Sequence, residues 1–244
     1  MVQTVRITKA ITNLNEAHNK FSLIPTSDLQ FFTEWLDDLP EVNDSQKESL
    51  NRLKNRYLYY AADGEITEGT IDRIMVSPLL DLIGLFDIHF KIQCEKCVKV
   101  EIDNGDMILE GFIDALVVQN KLWVVVIEEK RFNVNVFQAI PQTLAYMMAN
   151  PNSEIPSFGM VTNGDDYIFI KLNREVLQYG LSDKFTAISR DENNNLFRVL
   201  RIIKKIIGLF VRSNKLEEMG ISNQAIVARF HPYYLRKYTQ YSVS

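Results

Sequence analysis

Charged residues close two otherwise apolar runs: Asp114 ends Gly111-Phe112-Ile113-Asp114, and Glu128-Glu129-Lys130 follows Val124-Val125-Val126-Ile127. Both runs have the composition of strands. A strand turns successive side chains to opposite faces, so Glu128 and Lys130 share one face and Glu129 takes the other. Asp114 approaches them from the preceding strand. Two carboxylates converging at a strand edge make a hard oxygen site suited to Mg²⁺. A lysine beside that ion can orient an attacking water and offset negative charge on a phosphate. The competing reading is that all these residues are strand-end charges that solvate a sheet edge.

The connection between the two strands decides whether the charges can meet. A two-residue turn at Gln119-Asn120 sets Asp114 against Val125, on the face away from Glu128. A three-residue turn over 119–121 sets Asp114 against Val126 and brings Asp114, Glu128 and Lys130 to one face. A β-bulge has the same effect. Convergence therefore predicts that turn or a bulge.

The elements around these residues follow from periodicity. Residues 65–86 predict a long helix with Ile71, Ile74, Met75, Leu79, Leu82 and Ile83 on one stripe, interrupted by Pro78. Strands are expected at 88–93, 97–102, 107–118 and 121–128, with turns at 103–106 and 119–120. The last strand is apolar on both faces and is expected to be central. Residues 135–149 predict a helix kinked at Pro141, with Gln138, Gln142 and Tyr146 four apart on one face. That polar stripe either borders the cleft or simply faces solvent. Asn163-Gly164-Asp165 marks a hairpin between strands at 157–163 and 166–171, and a further strand is expected over 174–180. Upstream, Ser27 opens a helix that Pro40 ends, and Asn43-Asp44-Ser45 opens another, with Leu50, Leu53, Tyr57 and Leu58 inward. Residues 196–213 form an amphipathic helix with a basic face. Antiparallel strands flanked by helices place the chain in the α/β (α+β) class around one mixed sheet. The expected organisation is one compact domain: a helical extension over 1–64, a core over 65–190, and a basic helix and tail over 191–244.

Composition narrows the function. The chain has 244 residues, 46% hydrophobic and 24% charged, which is ordinary for a globular protein and excludes collagen-like or disordered classes. No apolar run approaches the ~18 residues of a membrane span, and the first residues lack a signal core, so a cytoplasmic protein without membrane contact is expected. Net charge is −4, but nine Lys and Arg against two acids give residues 196–244 a charge of +7, leaving −11 for residues 1–195. A basic face beside acidic clusters suits a polyanion, and a solvated helix face accounts for it equally well. The segment 229–238, RFHPYYLRKY, mixes cations with aromatics in a way that suits phosphate contact and base stacking; a tail packed on the domain is the alternative. No phosphate-binding glycine loop, dinucleotide fingerprint, nucleophile elbow or His-Glu-x-x-His motif is present. Cys94 and Cys97 have C-x-x-C spacing in an expected hairpin, but no second pair completes a zinc site.

At Asp114, Glu128-x-Lys130 and Gln142-x-x-x-Tyr146 the sequence resembles the PD-(D/E)XK nuclease superfamily. It looks most like the N-terminal nuclease domain of type I restriction enzyme R subunits, over about half the chain. The resemblance implies a restriction-endonuclease-like α-β-β-β-α-β core. It implies that Asp114 and Glu128 bind Mg²⁺ or Mn²⁺, that Lys130 positions the water, and that Gln142 and Tyr146 support the site or contact DNA. An acid of the first core helix joins the metal in that family, and Glu68 is the better match here, with Glu65 second. Ile113 stands where the motif has its proline, and no motor motif follows, so the residues cannot drive translocation along DNA. The expectation is a Mg²⁺-dependent (endo)deoxyribonuclease acting alone. The alternative is a non-catalytic or partner-dependent DNA-binding subunit of a restriction-modification system; a homodimer would suit cleavage of both strands. A third reading is a protein-interaction domain with incidental motifs, which predicts carboxylates that stay apart.

Overall fold

The computed structural model describes residues 2–102, 106–119 and 122–218. Its centre is a sheet that is nine-stranded among the described residues, in the order β1-β4-β5-β6-β7-β8-β2, with β3 along β4 and β9 along β7. The strands are β1 (Gln3–Arg6), β2 (Ile24–Pro25), β3 (Lys91–Ile102), β4 (Met107–Gln119), β5 (Leu122–Glu129), β6 (Ser157–Thr162), β7 (Asp166–Asn173), β8 (Gln178–Leu181) and β9 (Phe185–Thr186). β5 and β6 pair in parallel, as do β1 with β4 and β2 with β8; the other pairs are antiparallel. This is a mixed α/β fold with one mixed sheet.

Helices cover both faces. On one side lie α3 (Asp44–Ala61), a helix in three parts (α4, Glu68–Ile71; a π-turn, Asp72–Val76; α5, Ser77–Asp81) and α7 (Leu196–Glu218). Their apolar residues meet Val117, Val125 and Ile127 in one core. On the other side, α1 (Ile7–Ala10), α2 (Leu14–Phe21) and α6 (Ile140–Met148) share a second core with Leu109, Leu116 and Val126. The continuous apolar run of β5 thus divides between two cores, as a central strand requires. No helix among the described residues is long and apolar enough to cross a membrane.

Several local expectations change. The helix expected over 65–86 starts at Glu68, capped by Thr67, and ends at Asp81. Pro78 lacks the N–H that would continue the ladder, and the turn before it widens so that Ser77 N donates to Asp72 O. Strands expected separately at 88–93 and 97–102 are one strand, β3, which absorbs an irregularity at Glu95 (φ 49°). Cys94 and Cys97 therefore lie within a strand, exposed and unlinked, and not in a hairpin. Pro141 does not kink a helix; it occupies the first turn of α6, after a 3₁₀ turn over Val136–Ala139. Asn163-Gly164 makes the expected hairpin, with Gly164 at φ 86°. The further strand begins at Gln178 rather than 174.

Residues 1–64 are more than a helical extension, because β1 and β2 join the sheet. Asn43 caps α3 through a reciprocal box with Gln46, and Leu50, Leu53 and Tyr57 point inward, but Leu58 is exposed. No helix forms over residues 27–39. Phe32 is buried there, yet Leu29 is 85% exposed. The carbonyls of residues 35–41 accept from α7: Arg198 Nη2 donates to Trp35 O and Leu36 O, Arg201 to Leu39 O and Pro40 O, Lys204 to Glu41 O, and Lys205 to Asp38 O. A buried ion pair, Lys171 Nζ to Glu34 Oε1 at 2.6 Å, ties the same segment to β7.

Candidate active site

β4 is flanked by β3 along its length, but its other edge is shared. β1 pairs with Met107 to Glu110, and β5 pairs with Ala115 to Gln119. Residues 111–114 lie in the notch between those two partners, and Asp114 sits at its inner end. The register there contains a bulge. Gln119 pairs with Leu122 and Val118 with Trp123, but Val117 pairs with Val125 and Ala115 with Ile127. The extra residue on β5 shifts every later pair by one, so the next position sets Asp114 opposite Glu128. The bulge that convergence demanded is present.

Alternation then sorts the acids. Val126 belongs to the α6 core and Ile127 to the α7 core. Two residues on, Glu128 and Lys130 face α6, and Glu129 faces α4 and the π-turn. Lys130 Nζ donates to Glu128 Oε1 at 2.5 Å. Glu128 is 1% exposed, and its Oε2 is buried with no hydrogen-bond partner. Asp114 Oδ2 accepts the Glu129 N–H at 2.7 Å, where the β4–β5 ladder ends.

Burial and mutual repulsion dominate the electrostatics of these acids. Burial, and then the charge of Asp114, push Glu128 up to about 8. Burial also raises Asp114, against the pull of the Glu129 N–H and Lys130. Burial works to lower Lys130, but the adjacent Glu128 and Asp114 outweigh it and the ammonium is held charged. Glu129 is raised to about 8 by burial and by Asp72 across the other face. A divalent ion would reverse this excess of buried negative charge.

Gln142 and Tyr146 join the same place. Gln142 Nε2 donates to the Tyr146 hydroxyl at 2.5 Å. Burial and then the charge of Glu128 push this phenol above its ordinary value. The ring fits because residue 111 is glycine: a Cβ there would stand 2.7 Å from Tyr146 Cε1. Gln138 is not part of this arrangement; it lies in the 3₁₀ turn and is exposed.

Glu68 is exposed at the start of α4, and its charge is among the main ones acting on Asp114, Glu128, Glu129 and Lys130, ahead of Glu65. Glu68 does not close a three-carboxylate cage with Asp114 and Glu128, since no group of three or more His, Cys, Asp or Glu among the described residues could hold a metal ion. Mg²⁺ does not need one: it is held by one or two carboxylates together with waters and substrate phosphate oxygens. The orphaned Glu128 Oε2 beside Asp114 is a donor set of that kind.

Sequence reasoning missed the pair Asp72 and Glu129, which load the opposite face of the same strand end. The spacing of Glu68 and Asp72, four apart on one helix, was its available signal. The basic face of α7 is also different from expectation, because its first four cations are engaged by the 35–41 carbonyls. The side chains of Arg212 and Lys215, and the segment 229–238, lie outside the described residues.

The chain matches no family model and no curated protein.

Proposed function

We infer that the chain is a metal-dependent nuclease that hydrolyses DNA phosphodiester bonds, with a restriction-endonuclease-like core. The single observation that carries this reading is the convergence in one sheet notch of Asp114, the buried and half-unpartnered Glu128, and Lys130. The order of elements supports it: the helix over 68–81, β3, β4, β5, α6 and β6 run α-β-β-β-α-β. So does the placement of Gln142 and Tyr146 against the same strand ends.

Asp114 and Glu128 would hold Mg²⁺ or Mn²⁺. When bound, the ion would supply Lewis acidity and charge compensation at a phosphoryl oxygen. The chain's own groups do the rest. Lys130, charged and next to Glu128, orients the attacking water and offsets charge as the new P–O bond forms and the P–O bond to the leaving oxygen breaks. Tyr146 and Gln142 fix the Glu128 side of the notch. The Glu129 N–H fixes Asp114, so the two carboxylates are placed before substrate arrives.

One observation favours the partner-dependent subunit as second reading: the cations of α7 nearest the domain are already bound to main-chain carbonyls, so a phosphate-binding face has to come from elsewhere. Cleavage of supercoiled plasmid and of single strands with Mg²⁺ or Mn²⁺, beside Lys130→Ala and Asp114→Ala, separates the two. Metal-dependent cutting lost in both variants supports the enzyme. Salt-sensitive DNA binding without cutting supports the subunit.

A further inference from the structure

On the α7 side of the same strand ends lies a cavity of about 370 Å³ that the hydrolytic residues do not use. Three of its lining residues tie it to the notch. Ala115 follows Asp114 on β4, Cys94 pairs with Ala115 from β3, and Asp72 is the strongest charge acting on Glu129. Its outer wall is aromatic: Phe86 and Phe90 line it, and Phe86 is 54% exposed. Its polar groups are few. Asp72 accepts the Ser77 hydroxyl on Oδ1 at 2.8 Å, which leaves Oδ2 as an acceptor, Gln93 supplies an amide, and Lys91 is the one cation of the lining.

We propose that this cavity takes one unstacked nucleobase of the strand being cleaved. Aromatic walls with a few convergent polar groups are what a base pocket requires, since every base has a π-face and a hydrogen-bonding edge. The volume is ample for one base. Ala115 on the cavity wall is the β4 neighbour of Asp114, so a base held there lies beside the strand segment that carries the hydrolytic residues. The substrate of the site is then an unpaired nucleotide, in a single strand or at a frayed end. This rests on the nuclease reading for its substrate, but the test does not depend on cutting.

The experiment measures binding without added metal. A short single strand carrying one 2-aminopurine, and the same strand abasic at that position, are titrated into wild type, Cys94→Trp and Phe86→Ala. Cys94 is exposed and its tryptophan would fill the cavity, while Phe86→Ala removes one wall; circular dichroism confirms that both variants fold. Wild type is expected to change the 2-aminopurine fluorescence and to bind the intact strand about tenfold more tightly than the abasic one, the scale of one stacked base. Both variants should lose that difference. Equal binding of the two strands by wild type, a difference that survives both substitutions, or no binding of either strand overturns the proposal. Metal-dependent cleavage, assayed in parallel on plasmid, fails or holds separately: cutting without base discrimination removes the cavity and keeps the nuclease, and discrimination without cutting does the reverse.

Discussion

Asp114 stands across β4–β5 from Glu128, and its Oδ2 takes the Glu129 N–H at 2.7 Å. The carboxylate thereby ends the ladder between the strands and stays beside a second, nearly unexposed carboxylate. Two such groups would repel strongly without Lys130 on Glu128. Holding them together costs stability that a structural ion pair alone would not require.

Lys130→Met should therefore affect activity and stability through the same residue. Metal-dependent cleavage is expected to fall by about 10²–10⁴, the range for removal of a group that handles the attacking water. The metal-free protein should also melt lower, because Glu128 loses the one hydrogen-bonding partner it has among the described residues. Adding Glu128→Gln should restore the melting temperature and leave the activity lost. A double variant no more stable than Lys130→Met would show that Lys130 is not there to offset Glu128.

Gly111 admits the Tyr146 ring, and Gly111→Ala would set a Cβ 2.7 Å from Cε1 and 3.2 Å from Ile7 Cβ. The ring or β1 has to move, at about 1–3 kcal/mol for an overpacked site. Tyr146→Phe keeps the ring but leaves the Gln142 amide without its hydroxyl acceptor, at about 1–3 kcal/mol if that amide stays dry. Urea unfolding should show both losses, and cleavage should fall in each because both free the Glu128 side of the notch. Full activity in Tyr146→Phe would assign the hydroxyl to stability alone.

The convergence was legible because strand periodicity is strict. Once Glu128 and Lys130 share a face, only the register of β4 is open, and the sole rescue for a short connection is a bulge; it lies at Val117/Val118. Gln142 and Tyr146 were readable as a helical stripe, while Gln138, at the same spacing, left it because the first turn is 3₁₀. The segment 27–39 was misread because its apolar spacing matches a helix, whereas the chain buries Phe32 together with Glu34, paired to Lys171, and leaves Leu29 and Leu36 of that stripe exposed. Charge asymmetry was real in sequence but its partner was not visible there: a basic face can bind a phosphate or a carbonyl, and composition does not distinguish them. Asp72 and Glu129 escaped notice because they meet only through the opposite face of the sheet.

That same α7 contact makes Arg201 a test of fold rather than of DNA affinity. Its Nε and Nη2 donate to Pro40 O and Leu39 O at 3.0 and 3.1 Å. Arg201→Ala should destabilise the protein by about 1.5–3 kcal/mol, the range for hydrogen bonds from a charged donor. Amide exchange should rise first in residues 35–41. Wild-type exchange in that segment, with DNA affinity reduced, would return the helix to a phosphate-binding role.

The pH dependence follows from two buried carboxylates on one strand. Glu128 is pushed up to about 8 by burial and Asp114, and Glu129 to about 8 by burial and Asp72. Between the ordinary carboxylate range, near 4.5, and about 8, the folded chain keeps protons that the unfolded chain has released. The native state binds more protons throughout that window, so stability falls as pH rises. The contribution is full below the unfolded pKa and gone above the folded one. The melting temperature of the metal-free protein should thus decline from about pH 5 to about pH 8, and Glu128→Gln should flatten part of that slope. Mg²⁺ selects the ionised carboxylates and should raise the melting temperature more at the alkaline end than at the acidic end. It should do nothing for Glu128→Gln combined with Asp114→Asn. A wild-type melting temperature flat across the window would show that these carboxylates are ionised in the folded chain at ordinary cost, and an equal Mg²⁺ effect in the double variant would place the ion elsewhere.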